Sequence, residues 1–113
     1  MTVSHGNTES SVRLNRSVRR VSALLRALAA VPEGMVLAEL SDAARLPEST
    51  TWRLLATLIK EGLVERTTDG SGRYLIGLET FRLGSTVLTR LGIGQHVLVD
   101  LEELAADTGE TVN

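Results

Sequence analysis

A mainly α chain with one small β-hairpin, of winged helix-turn-helix type, is the fold class this sequence predicts. Between Ala38 and Lys60 lie two short helical patterns separated by a break at Arg45-Leu46-Pro47, the spacing of a helix-turn-helix. Ahead of them, Val18, Val21, Leu24, Leu25 and Leu28 recur at helical spacing. Behind them, Leu63-Val64-Glu65-Arg66 and Arg73-Tyr74-Leu75-Ile76-Gly77 flank Thr67-Thr68-Asp69-Gly70-Ser71-Gly72, which is turn chemistry between two short strands. The resulting order is helix, helix, helix, hairpin.

Residues 1–16 are rich in Ser, Thr and Asn and lack the apolar core of a signal peptide, so a flexible arm is expected. Ser17 is the expected N-cap of the first helix, whose apolar residues give it one buried face. Pro32 and Gly34 stop that helix, and Met35-Val36-Leu37 reads as a short extended piece. In the next helix Leu40, Ala43 and Ala44 form the expected inner face. The following helix opens with Pro47 at its first position, where the missing N–H costs nothing.

At about 100° per residue, Thr51, Leu54, Leu55, Leu58 and Ile59 share one face of that helix. Ser49, Arg53 and Thr57 line the opposite face, with Thr50 and Lys60 beside them. Short hydroxyls around one Arg and one Lys are the chemistry that meets base edges and phosphates. Gly62 is placed as the C-terminal stop. Beyond the hairpin, Leu78, Phe81, Leu88 and Leu91 form one stripe while Leu83 and Val87 sit on another flank. That apolar surface is broader than one small domain needs to bury, and it suits a partner. Gly92-Ile93-Gly94 breaks the pattern, and a further amphipathic helix is expected with Val97, Leu98, Leu101, Leu104 and Ala105 inward. Thr108-Gly109-Glu110-Thr111-Val112-Asn113 reads as the entry to a strand. The expected domains are an arm at 1–16, the winged helix-turn-helix at 17–78, a dimerisation helix at 79–92 and the start of another domain at 93–113.

Composition narrows the function classes. With 113 residues, 42% hydrophobic and 23% charged, the chain has room for one globular domain plus a helical extension. It has no cysteine, hence no disulfide and no thiolate metal site, and no apolar run near the roughly 20 residues that span a bilayer. A cytoplasmic location is the expectation. Net charge is −2, yet it is uneven: residues 1–75 carry +2 and residues 76–113 carry −4. So weakly basic a domain needs directed contacts with DNA, and two copies, rather than indiscriminate coating.

Catalytic patterns are lacking. Gly92-Ile93-Gly94-Gln95-His96-Val97 begins like a dinucleotide fingerprint but follows no strand and lacks the third Gly. Gly70-Ser71-Gly72 lacks the Lys-Ser/Thr of a phosphate loop, and His5 and His96 form neither a metal set nor a triad. Trp52, Tyr74 and Phe81 are the only aromatics, poor equipment for stacking single-stranded bases. No enzyme and no cofactor is expected.

Ser17-Val18-Arg19-Arg20, Leu46-Pro47-Glu48-Ser49-Thr50-Thr51-Trp52-Arg53-Leu54-Leu55, Gly62-Leu63-Val64 and Gly72-Arg73-Tyr74-Leu75-Ile76-Gly77 together resemble the DNA-binding domain of IclR-family transcriptional regulators. Leu101-Glu102-Glu103-Leu104-Ala105 and Thr108-Gly109-Glu110-Thr111-Val112 look like the start of that family's effector-binding domain. The resemblance implies a dimeric bacterial regulator, a repressor in the first instance, on a pseudo-palindromic double-stranded operator. Its small-molecule effector would bind a C-terminal domain that this chain mostly lacks, which implies a fragment.

Three residues depart from the family pattern: Arg45 where Gly is usual, Glu48 at an often basic position, and Thr51 in place of an aliphatic core residue. Glu48 is either a helix-start acid that points aside or an acceptor for a cytosine amino group.

The expected DNA contacts are Arg16, Arg20, Ser49, Thr50, Trp52, Arg53 and Arg73, with Leu78, Phe81, Leu88 and Leu91 for dimerisation. Trp52 either covers the hydrophobic edge or sends its indole N–H to a phosphate. Arg66 and Arg73 sit by the wing, where phosphate contact competes with strand-surface salt bridges. The alternative function is a winged-helix protein-interaction module without specific DNA binding.

Overall fold

The computed structural model describes residues 12–93 and Glu103. Its elements are α1 (Arg16–Ala29), α2 (Leu37–Ala44), α3 (Glu48–Lys60), β1 (Val64–Arg66), β2 (Tyr74–Ile76) and α4 (Leu78–Arg90). Helix order and hairpin agree with the winged helix-turn-helix expected from the sequence. Most of the expected arm lies outside the described residues. So do the inward stripe of Val97, Leu98, Leu101, Leu104 and Ala105 and the strand entry at 108–113.

The cap of α1 is Asn15 rather than Ser17: its side chain accepts the Val18 amide hydrogen at 3.0 Å. Both residue types cap well, and the helix therefore starts two residues earlier; its Leu24 and Leu28 are fully in the core. Val18, expected inward, is 65% exposed. In α2 Leu40 and Ser41 are buried and Ala44 packs half-buried against the core, so Leu40 and Ala44 face inward as expected, whereas Ala43 is exposed. Ala and Ser differ so little in size that two turns of helix do not reveal their orientation from hydrophobicity alone.

The Ser41 hydroxyl is buried without a hydrogen-bond partner among the described residues. A buried hydroxyl of that kind is a net cost. Ser41→Ala is therefore expected to stabilise the domain by about 1 kcal/mol, since alanine is also the better helix former. A lowered melting temperature would contradict that.

The turn between α2 and α3 passes through Arg45, which takes left-handed φ and ψ of 59° and 49°. The Arg45 amide donates to the Asp42 carbonyl and the Leu46 amide to the Ser41 carbonyl, so the last carbonyls of α2 are satisfied. The usual glycine geometry is thus kept by a non-glycine residue, at a cost of about 1 kcal/mol. Pro47 stands one residue outside α3, as its N-cap, and not at the first helical position.

At the far end of α3, Gly62 has φ +80°. Its amide bonds the Ile59 carbonyl and that of Leu63 bonds the Leu58 carbonyl, both at 3.0 Å, a paired C-terminal cap.

Strands β1 and β2 pair antiparallel with Val64 opposite Ile76 and Arg66 opposite Tyr74. The extended piece ahead of α2 adds one bridge, Met35 to Tyr74, with both backbone bonds made at 3.0 and 2.8 Å. The core consists of Leu24, Leu28, Leu40, Leu55, Leu58, Val64 and Tyr74. Only α4 sends no side chain into it. Thr51 is fully buried with this group, and its hydroxyl donates to the Pro47 carbonyl at 3.0 Å. The polar departure at that core position is therefore satisfied within one turn. Ile59 is the outlier of the expected core face, 37% exposed near the end of α3.

Candidate nucleic-acid interface

Burial of Thr51, Leu55 and Leu58 fixes which way α3 faces. Ser49, Trp52, Arg53, Ala56, Thr57 and Lys60 are left exposed on the other side. Glu48, Ser49, Trp52 and Arg53 line one open groove together with Leu37 from the first turn of α2. Three of the expected contact residues, Ser49, Trp52 and Arg53, thus meet in one place. Leu37 was missed as a groove residue because its apolar side chain gives no binding signal at the sequence level.

Trp52 is 56% exposed, too open to serve only as a cover for the core edge. Thr50 is half-buried and outside the groove lining. The Thr57 hydroxyl lies 3.5 Å from the Arg53 carbonyl, at the limit of a hydrogen bond back along the helix. Glu48 is exposed in the first turn of α3, where the positive end of the helix dipole favours an acid. Arg16 and Arg20 lie on the first turns of α1, exposed and half-buried respectively.

Arg73 is placed differently from the other expected contacts. Its guanidinium donates to the Gly34 carbonyl at 3.1 Å and stands 3.9 Å from a Glu39 carboxylate oxygen. The same Glu39 oxygen accepts the Val36 amide hydrogen at 3.2 Å, closing the first turn of α2. Glu39 was not singled out from sequence, although an acid three residues into a helix is a capping signal. Arg66 lies over the Tyr74 ring, 5.2 Å from its centre.

The tip of the hairpin is held by Asp69. Its carboxylate accepts the Ser71 amide hydrogen at 2.9 Å, while the Thr67 and Ser71 hydroxyls lie 3.0 Å apart. The Ser71 amide first, then the Ser71 and Thr67 hydroxyls, pull the Asp69 carboxyl below the ordinary Asp value. A depressed pKa means stability that is present above the unfolded-state value and lost as pH falls through the folded one. The hairpin tip is therefore expected to loosen only in acid below the ordinary Asp range, and Asp69→Asn to remove that step. Titration followed at the Ser71 amide by NMR checks both.

On α4, Leu78, Leu83 and Val87 are exposed and Phe81 and Leu88 are half-buried; Leu91, the residue that caps its C-terminal end, is 67% exposed. No helix of the described residues is long and apolar enough to cross a membrane.

Comparison with known proteins covers the same ground. Residues 17–68 match the model of the IclR helix-turn-helix domain. The chain is similar to a glycerol operon regulatory protein of Streptomyces coelicolor, 37% identical over 87% of this chain and 38% of that protein. It is also similar to the transcriptional repressor IclR of Escherichia coli, 36% identical over 87% of this chain and 35% of that one. Among solved structures, an IclR family transcriptional regulator from Brucella abortus superposes with a TM-score of 0.60. Identity there is 28%, over 69% of this chain and 29% of that one. The chain spans a little over a third of the length of these curated relatives. From residue 17 to residue 68, then, this chain carries a helix-turn-helix domain of the IclR family.

Proposed function

We propose that this chain is the DNA-reading part of a cytoplasmic transcriptional regulator, a repressor, that binds a pseudo-palindromic operator as a dimer. The observation that carries this is the bared face of α3, where Ser49, Trp52 and Arg53 share one groove while the opposite face is buried. A helix so presented enters the major groove with its N-terminal half toward base edges. Arg53 reads a base, Ser49 and Thr50 support it, Trp52 packs against the groove wall, and Arg16 and Arg20 set register on phosphates. Leu78, Phe81, Leu88 and Leu91 supply the apolar seam between protomers. The relatives, named as operon regulators and a repressor, support the regulatory role. In this reading a small-molecule effector acts only through the additional length that those relatives have.

Selection of bound duplexes from a random pool at moderate salt tests the proposal. The expected result is one enriched inverted repeat, its half-sites about one helical turn apart. Absence of binding even at low salt would instead favour a winged-helix module that docks on protein, a reading to which the net charge of −2 lends weight.

A further inference from the structure

The hairpin carries four charged side chains, Glu65, Arg66, Asp69 and Arg73, and each is turned onto the protein itself. Glu65 accepts the Leu78 amide hydrogen at 2.9 Å and so caps α4. Arg66 covers Tyr74, Asp69 ties the tip, and Arg73 holds Gly34 and Glu39. Their charges sum to zero, so the hairpin adds no net attraction for a phosphate backbone.

The hairpin and the turn that leads from it into α4 together touch both ends of the helix-turn-helix. On one side Tyr74 pairs with Met35, and Arg73 reaches the first turn of α2 through Glu39. The fit there is close. An alanine Cβ at Gly34 would lie 2.7 Å from the Tyr74 carbonyl oxygen, and the φ of +93° is left-handed as well. On the other side the chain leaving the hairpin closes on the end of α3: at the start of α4, Gly77 donates to the Leu63 carbonyl at 2.8 Å and the Thr80 hydroxyl to the same oxygen at 2.9 Å. Glu79 donates to the Gly62 carbonyl at 3.2 Å. Gly62 and Leu63 are the cap of α3.

We propose that the hairpin of this chain is a brace and not a phosphate grip, with Arg73 as a positioning residue that holds α2 in place beside α3. The inference rests on the proposed DNA reading of α3. Within it, Arg73 contributes to operator binding by fixing the angle between the two helices, and its guanidinium stays on Gly34 and Glu39 when DNA is bound.

Operator affinity over a range of salt, with each variant folded by circular dichroism at the assay temperature, separates the two roles. Arg73→Ala is expected to weaken operator binding about tenfold with the slope of log K against log salt unchanged. Arg73→Lys, which keeps a donor for the Gly34 carbonyl and the positive charge facing Glu39, is expected to stay within about twofold of wild type. Arg66→Ala is likewise expected to leave the slope alone. A slope reduced by about one unit in Arg73→Ala overturns the proposal, because it counts a lost phosphate contact.

Glu39→Gln gives an opposed sign. Glutamine keeps the acceptor for the Val36 amide and removes only the charge facing Arg73. At salt high enough to screen the lost charge, the brace predicts slightly weaker operator binding. Tighter binding there, with a salt slope steeper by about one unit, would count a new phosphate contact by Arg73 and would overturn it. Hydrogen exchange without DNA supplies the independent arm. Faster exchange of the Met35 and Tyr74 amides in Arg73→Ala, restored in Arg73→Lys, supports the brace. Unchanged exchange overturns it. If wild type binds no duplex, the regulator reading falls while these amides still decide the role of Arg73.

Discussion

Gly77→Ala is expected to lower the stability of the domain by about 3 kcal/mol or more. For a domain of this size that is a fall in melting temperature of roughly 12 °C or more. A Cβ at position 77 would overlap the Gly62 carbonyl oxygen and lie 2.8 Å from the Leu63 carbonyl carbon and 2.9 Å from the Val64 nitrogen. All three are backbone atoms in the cap of α3 and the start of β1, so no side chain can swing away. Backbone strain plays no part, since φ at Gly77 is −86°.

Gly70→Ala is the control that isolates space from conformation. There φ is +86° but nothing lies within 4 Å of the added carbon, so only the left-handed penalty of about 1 kcal/mol is expected. Thermal melts of the two variants should differ clearly. Equal shifts would show that the contact between α4 and the end of α3 has room to spare.

Arg53→Ala is expected to cost about 1–3 kcal/mol on the operator, roughly five- to 150-fold in Kd, and to relax one base position. On random duplex the loss should be much smaller, confined to one fewer positive charge near the phosphates. Arg53→Lys should not restore specificity, because an ammonium cannot form the paired hydrogen bonds of a guanidinium to a guanine edge. The location of Arg53 makes the prediction sharp: it is exposed in the groove beside Ser49 and Trp52, and no ion pair with it occurs among the described residues. Equal losses on operator and random DNA would remove it as a base reader.

Much of this fold was legible in the sequence. In α3 the apolar period placed Thr51, Leu55 and Leu58 inside and left Ser49 and Arg53 outside, as observed. The stop at Gly62 and the two hairpin strands were equally readable, because turn and cap residues act through their own backbone. The misplacements share a cause. Asn15 and Ser17 are both competent caps, and Ser41 and Ala43 are both small, so local chemistry was nearly degenerate and packing against neighbours chose between them. Val18 and Ile59 fit the apolar period of their helices, yet each lies near a helix end and is exposed.

What the sequence determined by itself is local: helix period, caps, turns, and the hydroxyl-arginine face of α3, each settled by residues within a few positions of one another. The tertiary structure alone decided the partners of Arg73, which are Gly34 and Glu39, more than thirty residues back in the chain. It also decided that Leu37 joins the groove of α3, and that Gly77 must be small because the cap of another helix passes beside it. Those contacts exist only once three helices share one core and bring distant backbone together, and no periodicity along the chain encodes that distance.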